Sequence, residues 1–370
     1  KKIKKETIRS KTLKYHFPNS YLEIDLGAVS KNIESIKQRI PDKKYLAVVK
    51  CDAYSHGVIH VAKHIQDQVD WFAVANVDEA IELRRASITK PVLVFGVPTY
   101  ETAAAYQTHN LTATVSHLTH FSILMDGTDY HLYFDTGMGR LGFSPDQVKE
   151  VRQQAVLNQR LTCSGIYTHY ATADDPGSDF VEEQHNRFEE IIKSFEEIPI
   201  KHISNTGAAT NYNLDNFDMI RVGLGMLGYN PGKTRHRWLK PALTWKSEIA
   251  QLRPVKKGDR VSYGSTWESP DDGYLATIPV GYGDGLPRAL SNKLKISIAG
   301  KLYPQVGNVT MDYIMVYLGK DKDAVTVDSE VTILGGNALN ASDWAELADT
   351  NVHEILTNLK GRFERTHTNY

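Results

Sequence analysis

The sequence lacks the features that would assign it to several protein classes. It has only two cysteines, Cys51 and Cys163, in separate segments, which excludes a disulfide framework and a zinc-site spacing and favours a reducing compartment such as the cytoplasm. Its 43 basic and 44 acidic side chains give a net charge of −1, so composition does not indicate nucleic acid as a partner. It has no apolar run long enough to span a membrane. The chain of 370 residues has an ordinary globular composition and is long enough for two domains.

One segment departs from this charge balance. The sequence begins KKIKKETIRSKTLKY, with seven basic residues and one acidic residue. A frayed terminus has this composition, and so has the cytoplasmic edge of a membrane segment in a longer chain. We therefore expect residues 1–19 to form a basic N-terminal segment that could link to a membrane domain. It is not a signal peptide, because no apolar stretch follows it.

From about residue 44 to residue 228, apolar runs alternate with stretches of helical periodicity. This alternation is typical of parallel βαβ units. Eight runs predict a closed (β/α)8 barrel over residues 20–235, although an open doubly wound sheet would show the same alternation. The runs are YLAVV (45–49), FAVAN (72–76), VLVFG (92–96), TATVS (112–116), HLYFD (131–135), CSGIYTHY (163–170), KHISN (201–205) and MIRVG (219–223).

After residue 235 the pattern changes to short strand-like segments separated by turns rich in Gly, Asp and Lys. Helical periodicity is nearly absent there, apart from ASDWAELADT. We predict a second, mostly β domain over residues 236–370. The strand-like YLEIDL (21–26) precedes the first barrel strand and could join that second domain.

Polar side chains collect at the carboxyl ends of the predicted barrel strands, where barrel enzymes build their sites. A single lysine at a strand end is usually solvated. Five of the eight strands, however, contribute such groups to one rim, and this favours a functional site. The first strand gives Lys50 and, just after it, Tyr54, and the fifth runs into DTGMGR, which gives Arg140. The sixth gives His169, the seventh gives Asn205 and Thr206, and the eighth gives Arg221, then Gly223 and Leu224.

The loops after the seventh and eighth strands indicate a phosphate site. They read SNTGAA and RVGLGMLG, and their small residues let backbone N–H groups approach an anion. Thr206 and Tyr54 would add hydroxyl groups. Because Lys50 can form a Schiff base on the same rim, the pattern indicates pyridoxal 5'-phosphate as the cofactor.

The same region contains a match to the dinucleotide-binding fingerprint. Residues 223–228, GLGMLG, fit G-x-G-x-x-G, but that fingerprint needs a helix to follow it. The tripeptide NPG at 230–232 would break any such helix. We therefore do not assign a nicotinamide cofactor, and no metal site is predicted.

Eight motifs resemble those of alanine racemases and occur in that family's order. They are AVVKCDAYSHG, DTGMGRLGF, YTHYATAD, NTGAA, RVGLGMLG, VSYGSTW, VGYGDG and VGNVTMD. The resemblance extends from about residue 20 to residue 365. It implies a pyridoxal-phosphate barrel followed by a β domain, and a homodimer that shares its active sites. The basic start further resembles the cytoplasmic part of membrane-bound serine/alanine racemases of vancomycin resistance.

The resemblance implies a role for each matching residue. Lys50 would carry the cofactor, and Tyr263 of the partner subunit would be the second acid/base group, so that two bases serve opposite faces of the substrate. A tyrosine is a poor base at neutral pH unless positive charge favours its phenolate, and Arg221 would supply that charge through His169. The remaining implied roles are phosphate binding by Tyr54, Thr206, Gly223 and Leu224, carboxylate binding by Arg140 with Met311 of the partner subunit, and completion of the site by Asp312 and Tyr282.

The chain departs from the family pattern at several positions. Tyr133 stands where many alanine racemases have a lysine that orients the carboxylate-binding arginine. Arg140 must then be positioned in another way, for which the Tyr133 hydroxyl is a candidate. Asn308 and Thr310 stand where arginine and cysteine are common.

The C-terminal departure bears on the substrate. Where the family usually places a tyrosine over the substrate methyl group, the segment TNLKGR offers Asn358 or Gly361. An amide in place of a bulky ring would make room for a substrate hydroxyl and bond to it. This favours serine as a substrate, with alanine also accepted, because a pocket rejects an added hydroxyl poorly.

The predicted function is therefore a cytoplasmic serine/alanine racemase that supplies D-amino acids for peptidoglycan precursors. A housekeeping alanine racemase and a pyridoxal-phosphate carrier are the alternatives. A carrier would lack residues 236–370 and Tyr263. A basic amino-acid decarboxylase would place an acid where Arg221 faces the pyridine nitrogen. A membrane-tethered interaction domain would not explain the polar groups at the strand ends.

Overall fold

The computed structural model describes residues 20–320, 322, 325–362 and 364–370. The basic segment predicted for residues 1–19 lies outside them. Within this part of the chain, no helix combines the length and the apolar character needed to cross a membrane. The first strand, β1 (Tyr21–Asp25), belongs to the sheet of the second domain, which the chain enters again only after the barrel is complete.

Eight parallel strands form the barrel, one for each predicted run. They are short and apolar because both of their faces are buried, as in β3, where all four residues are buried. The bounds are β2 (Lys44–Val48), β3 (Trp71–Val74), β4 (Val92–Val94), β5 (Ala113–Val115), β6 (Asp129–Tyr133), β7 (Thr162–Tyr167), β8 (Ile200–His202) and β9 (Met219–Val222).

The strands close on themselves. They pair in the orders β4-β3-β2-β9 and β5-β6-β7-β8. Backbone hydrogen bonds from Val94 N to Thr112 O (3.0 Å) and from Arg221 N to Ser204 O (2.9 Å) join the two halves. The barrel prediction is therefore confirmed, and the open doubly wound sheet is excluded.

Helices occupy most connections between the barrel strands. One further helix, α1, precedes the first barrel strand; it begins where the Asp25 carboxylate accepts a hydrogen bond from Ala28 N (3.0 Å), and its buried residues recur at helical spacing. The bounds are α1 (Leu26–Arg39), α2 (Lys50–Ser55), α3 (Val58–Ile65), α4 (Val77–Arg85), α5 (Ala103–Thr108), α6 (His120–Ile123), α7 (Val148–Leu157), α8 (Phe180–Ile192) and α9 (Thr206–Asn211). The segment labelled α2 is a left-handed turn rather than an ordinary helix.

The second domain is mostly β, as expected. The bounds are β10 (Leu243–Ser247), β11 (Gln251–Val255), β12 (Arg260–Val261), β13 (Trp267–Glu268), β14 (Gly273–Ile278), β15 (Lys295–Ile298), β16 (Lys301–Val306), β17 (Ile314–Gly319), β18 (Val331–Leu334), α10 (Ala341–Ala348), α11 (Val352–Thr357) and β19 (Glu364–Thr368). Nine strands form one sheet in the order β11-β14-β17-β16-β15-β18-β10-β1-β19. The remaining strands, β12 and β13, pair as a small hairpin. The periodicity of ASDWAELADT predicted α10, whereas α11 was not predicted.

Candidate active site

A cavity of about 770 Å³ opens at the carboxyl ends of the barrel strands. The structure brings every predicted barrel residue to it. These residues are Lys50, Tyr54, Arg140, His169, Asn205, Thr206, Arg221, Gly223 and Leu224. The convergence follows from the parallel strands, which all deliver their carboxyl ends to one rim.

Lys50 enters the cavity where β2 ends, at the start of the left-handed turn. Residues 51–55 all have positive φ, between 49° and 67°, although none of them is glycine. Each such residue costs about 1–2 kcal/mol relative to right-handed backbone. Burial, and then the positive charge of Arg140, lower the pKa of Lys50. A lowered pKa makes the neutral, nucleophilic amine more available for a Schiff base.

Backbone and hydroxyl groups line the same cavity as Lys50. A Cβ atom at Gly223 would lie 2.5 Å from the Tyr54 hydroxyl, so only glycine lets the Tyr54 side chain lie this close to the backbone. The Thr206 hydroxyl lies 3.3 Å from Gly223 N and 3.4 Å from Gly225 N. Backbone N–H groups and two hydroxyls on one side of the cavity, the phosphate wall, suit a phosphate group. The residues present therefore fit pyridoxal phosphate, whose aldehyde Lys50 would hold.

Arg221 lies at the base of the cavity, and its partners are all neutral. Its guanidinium donates to the backbone oxygens of Thr168 and Ile203 (both 2.9 Å), to His202 Nδ1 (2.9 Å) and to His169 Nδ1 (3.2 Å). Burial lowers the pKa of Arg221 to about 10, so the side chain stays charged at neutral pH. An arginine in this position can donate a hydrogen bond to a ring nitrogen but cannot give up its proton.

The bonds from Arg221 determine the tautomers of two histidines. Because arginine only donates, Nδ1 of both His169 and His202 must accept, and each neutral ring carries its hydrogen on Nε2. His202 Nε2–H then donates to His131 Nδ1 (2.9 Å). The outer nitrogen of this chain, His131 Nε2, is buried without a hydrogen-bond partner among the described residues.

All three histidines are neutral at neutral pH. Burial, followed by the charge of Arg221, holds the pKa of His169 and of His202 well below the usual range. The same two causes lower the pKa of His131 to about 3. His169 therefore offers the cavity an N–H donor, and the charge resides on Arg221.

The expected contact between Tyr133 and Arg140 is not formed. Both side chains line the cavity, but the Tyr133 hydroxyl is buried with no hydrogen-bond partner in the described part of the chain. Its ring stacks on Tyr167, with centroids 4.5 Å apart. This stacking directs Tyr133 along the barrel wall, so its hydroxyl does not orient Arg140 here.

The predicted residues of the second domain lie elsewhere. Tyr263, in the turn between β12 and β13, is 76% exposed, and Met311 is 54% exposed. Tyr282 and Asn358 line a second cavity of about 520 Å³ on the β domain. None of these residues, nor Asp312, lines the cavity around Lys50.

Two polar contacts hold these exposed residues in place. Asn308, one of the departures from the family pattern, donates from Nδ2 to the Tyr263 carbonyl (2.8 Å). Arg362 bridges Asp312 (2.7 Å) and Asp284 (3.2 Å). The β domain therefore presents Tyr263 and Asp312 on supported loops at its surface.

Sequence reasoning missed one contributor to the cavity, the amino end of α11. Asn351, Val352 and His353 line the cavity, and the His353 ring lies 5.9 Å from the Tyr54 ring. Burial, and then the charge of Lys50, lower the pKa of His353. Asn358, which was expected here, caps the opposite end of α11. The signal was present, because Asn351 followed three residues later by Glu354 is typical of a helix start, and Asn351 Oδ1 accepts from Glu354 N (3.0 Å).

The fold and the cavity together define a class of protein. A closed (β/α)8 barrel presents a lysine of lowered pKa, the phosphate wall and a buried arginine at one mouth, and a β domain covers part of that mouth. These are the features of a barrel-type pyridoxal-phosphate enzyme.

Comparison with known proteins identifies the family. Residues 24–231 match the model "Alanine racemase, N-terminal domain", and residues 242–367 match "Alanine racemase, C-terminal domain". The chain is 38% identical to an alanine racemase of Streptococcus pneumoniae serotype 19F, over 95% of this chain and 98% of that protein. The solved alanine racemases of Streptomyces lavendulae (TM-score 0.90, 30% identity, 96% and 98% covered) and Bacillus anthracis (TM-score 0.87, 31% identity, 96% of each covered) share its fold. The chain belongs to the alanine racemase family, whose members are pyridoxal-phosphate-dependent amino-acid racemases.

Proposed function

We propose that this protein interconverts L- and D-alanine with two acid/base groups, one supplied by each of two chains. The observation that carries the proposal is the cavity that Lys50 shares with the phosphate wall, with Arg140 on the same rim. The relative from Bacillus anthracis was solved with bound L-Ala-P, which supports an alanine-sized substrate for this chain.

Alanine is a better proposal than serine. The case for serine rested on an amide from Asn358 beside the substrate, but Asn358 lines the second cavity rather than the one that holds Lys50. The imidazole of His353, by contrast, lines the cavity that holds Lys50 and lies 5.9 Å from the Tyr54 ring. Because a pocket discriminates weakly against an added hydroxyl, L-serine remains the appropriate comparison substrate.

The residues around the cavity have distinct tasks. Pyridoxal phosphate, when bound, supplies the electron sink that makes the α-hydrogen of an amino acid acidic. Lys50 would hold the cofactor and then, as a free amine of lowered pKa, move a proton at Nζ on one face of the substrate. Tyr54, Thr206, Gly223 and Leu224 would hold the phosphate. The guanidinium of Arg140 would bind the substrate carboxylate.

The second face needs another acid/base group, and Tyr263, the residue that the family resemblance implies, does not line this cavity in its own chain. Tyr263 and Met311 are exposed in a single chain, at 76% and 54%, so both side chains are accessible to a second copy. We propose that a second copy brings its Tyr263 and Met311 to this cavity in a two-fold homodimer. His169, with its hydrogen on Nε2, would then donate to the tyrosine oxygen and stabilise the phenolate.

The substrate is tested by turnover in heavy water. L-alanine and L-serine are supplied separately with saturating cofactor, and the D-enantiomer and deuterium at Cα are both followed. We expect deuterated D-alanine to form faster than deuterated D-serine. Faster D-serine formation would overturn the substrate assignment, and bound cofactor without any exchange would identify a carrier.

The shared site is tested with a hybrid dimer. The variants Lys50→Ala and Tyr263→Phe are co-expressed with different affinity tags, and the doubly tagged hybrid is purified. If Lys50 works with Tyr263 of the other chain, the hybrid has one intact site and about half of wild-type activity, although each parent variant is nearly inactive. An inactive hybrid would show that each site uses both residues of one chain. Tyr100→Phe is a matched control, because Tyr100 is 75% exposed and lines neither cavity.

A further inference from the structure

The turn that presents Lys50 and Tyr54 has a strained backbone. Residues 51–55 form a run of five non-glycine residues with positive φ, a conformation that L-residues adopt only when their surroundings enforce it. Asp52 is the only residue of CDAYS whose type adopts this conformation readily, and its carboxylate accepts a hydrogen bond from Val58 N (2.7 Å) just beyond the turn. The other four positions need contacts from elsewhere in the fold.

Several of these contacts come from β19, near the C-terminus. Arg365, in β19, donates from Nε to the Ser55 carbonyl (2.7 Å) and forms an ion pair through Nη2 with Asp52 (3.0 Å). His367, on the same side of β19, donates from Nε2 to the His56 carbonyl (2.8 Å). β19 thus contacts both ends of the turn. It binds the Asp52 side chain near the start of the turn and the carbonyls of Ser55 and His56 at its end.

The packing leaves little freedom for another arrangement. A Cβ atom at Gly57 would lie 2.7 Å from His367 Nε2, so β19 sits directly against the exit of the turn. The His367 ring also stacks on His60 of α3, with centroids 4.1 Å apart. Behind the turn, His56 Nδ1 bonds to the Tyr54 carbonyl (2.9 Å). The strand is itself fixed by parallel pairing with β1.

We propose that β19 is a clamp on the cofactor-binding turn, and that Arg365 is a positioning residue for Lys50 and Tyr54. Arg365 does not line the cavity, and it acts by keeping residues 51–55 left-handed. Without the clamp the turn would relax. This would release the strain energy of its backbone and displace the Tyr54 hydroxyl from the phosphate wall. The proposal therefore predicts weaker cofactor binding with little loss of stability in the protein freed of cofactor.

The test is a cofactor titration of Arg365→Gln. Protein freed of cofactor is titrated with pyridoxal phosphate, and the dissociation constant is measured from the absorbance of the lysine adduct. We expect a rise of about tenfold or more, equivalent to at least about 1.4 kcal/mol. Arg235→Gln is the matched control, because Arg235 forms comparable ion pairs with Asp343 and Glu346 in the same domain, and it should leave the constant unchanged.

A second variant tests whether the effect passes through the backbone of the turn. Cys51→Gly removes the steric penalty at one exposed left-handed position and keeps the backbone N–H that donates to Glu79 (2.7 Å). Added to Arg365→Gln, it should restore several-fold of the lost cofactor affinity. His367→Ala, a milder variant, should raise the dissociation constant by about threefold, and it replaces Arg365→Gln if that protein does not fold.

Two results would overturn the clamp. One is an unchanged cofactor dissociation constant in Arg365→Gln or, where that protein does not fold, in His367→Ala. The other is a weakened constant that Cys51→Gly does not improve, together with a fall in melting temperature much larger than that of Arg235→Gln, which would mean a general structural role. The proposal rests on the cofactor site alone. Because the titration uses no amino-acid substrate, its failure is distinguishable from failure of the alanine assignment.

Discussion

Arg221, His202 and His131 form a buried row of hydrogen-bonded side chains. The effect of a substitution in this row on the free energy of unfolding follows from the number of buried groups that it leaves without a hydrogen-bond partner. In the folded protein one nitrogen of the row, His131 Nε2, has no hydrogen-bond partner among the described residues. Replacing His202 with leucine removes the acceptor of Arg221 Nη1 and the donor to His131 Nδ1. His202→Leu therefore leaves two more buried polar groups unpaired than the wild type does.

Each unpaired buried group costs about 1–3 kcal/mol, so His202→Leu should lower the free energy of unfolding by roughly 2–6 kcal/mol. That is a large part of the total stability of a typical domain, about 5–15 kcal/mol. His131→Leu behaves differently, because it leaves His202 Nε2 unpaired but removes the nitrogen that already lacked a partner. The number of unpaired groups does not change, and the expected effect is within about 1 kcal/mol.

The double variant His131→Leu/His202→Leu gives the sharpest test. It leaves only Arg221 Nη1 unpaired, so it should be more stable than His202→Leu alone, by roughly 2–6 kcal/mol. The assay is urea unfolding of cofactor-free protein, followed by tryptophan fluorescence at one fixed protein concentration, because association shifts apparent stability. If His131→Leu is as damaging as His202→Leu, or if the two effects simply add, the pairing of Arg221, His202 and His131 described above is wrong.

Two other perturbations test the cavity and its buried charges. Gly223→Ala would place a methyl group 2.5 Å from the Tyr54 hydroxyl and should weaken cofactor binding by at least tenfold; an unchanged titration would mean that this wall does not hold the phosphate. Acid should destabilise the fold, because the pKa of His131 is about 3 in the folded state and about 6.5 when unfolded. Between these values the unfolded chain binds more protons, so the stability present above pH 6.5 is lost as the pH falls, by about 2 kcal/mol for this residue at pH 5. Unfolding of the wild type and of His131→Leu at pH 7 and pH 5 measures this loss, and equal slopes for both proteins would contradict it.

The fold was predictable because its strands carry a strong and simple signal. A strand buried on both faces is a short apolar run, and the eight runs correspond to β2 through β9 one by one. Their carboxyl ends then identified Lys50, His169 and Arg221 without further information. The dinucleotide fingerprint at 223–228 was rejected for a reason that the structure supports, since only a single 3-10 turn, Leu224–Leu227, follows Gly223.

The features that escaped prediction depend on contacts distant in sequence. The sequence CDAYS does not predict a left-handed turn. The contacts from β19 that enforce it come from more than 300 residues away. His131 and His202 are ordinary strand residues until the barrel closes and aligns them with Arg221. Asn358 or Gly361 was expected at the cavity because an amide suited the expected chemistry, whereas the amino end of α11, which Asn351 caps, lines it.

These observations also explain why the two ends of the chain meet. β1 opens the described chain and β19 nearly closes it, and they pair in parallel at the edge of the second sheet. That edge is where Arg365 and His367 reach the turn after β2. The barrel alone could supply Lys50 and the phosphate wall, but it would lack the contacts that keep the turn left-handed. The cofactor half of the site therefore depends on the second domain of its own chain, in addition to the acid/base group that we propose comes from another copy.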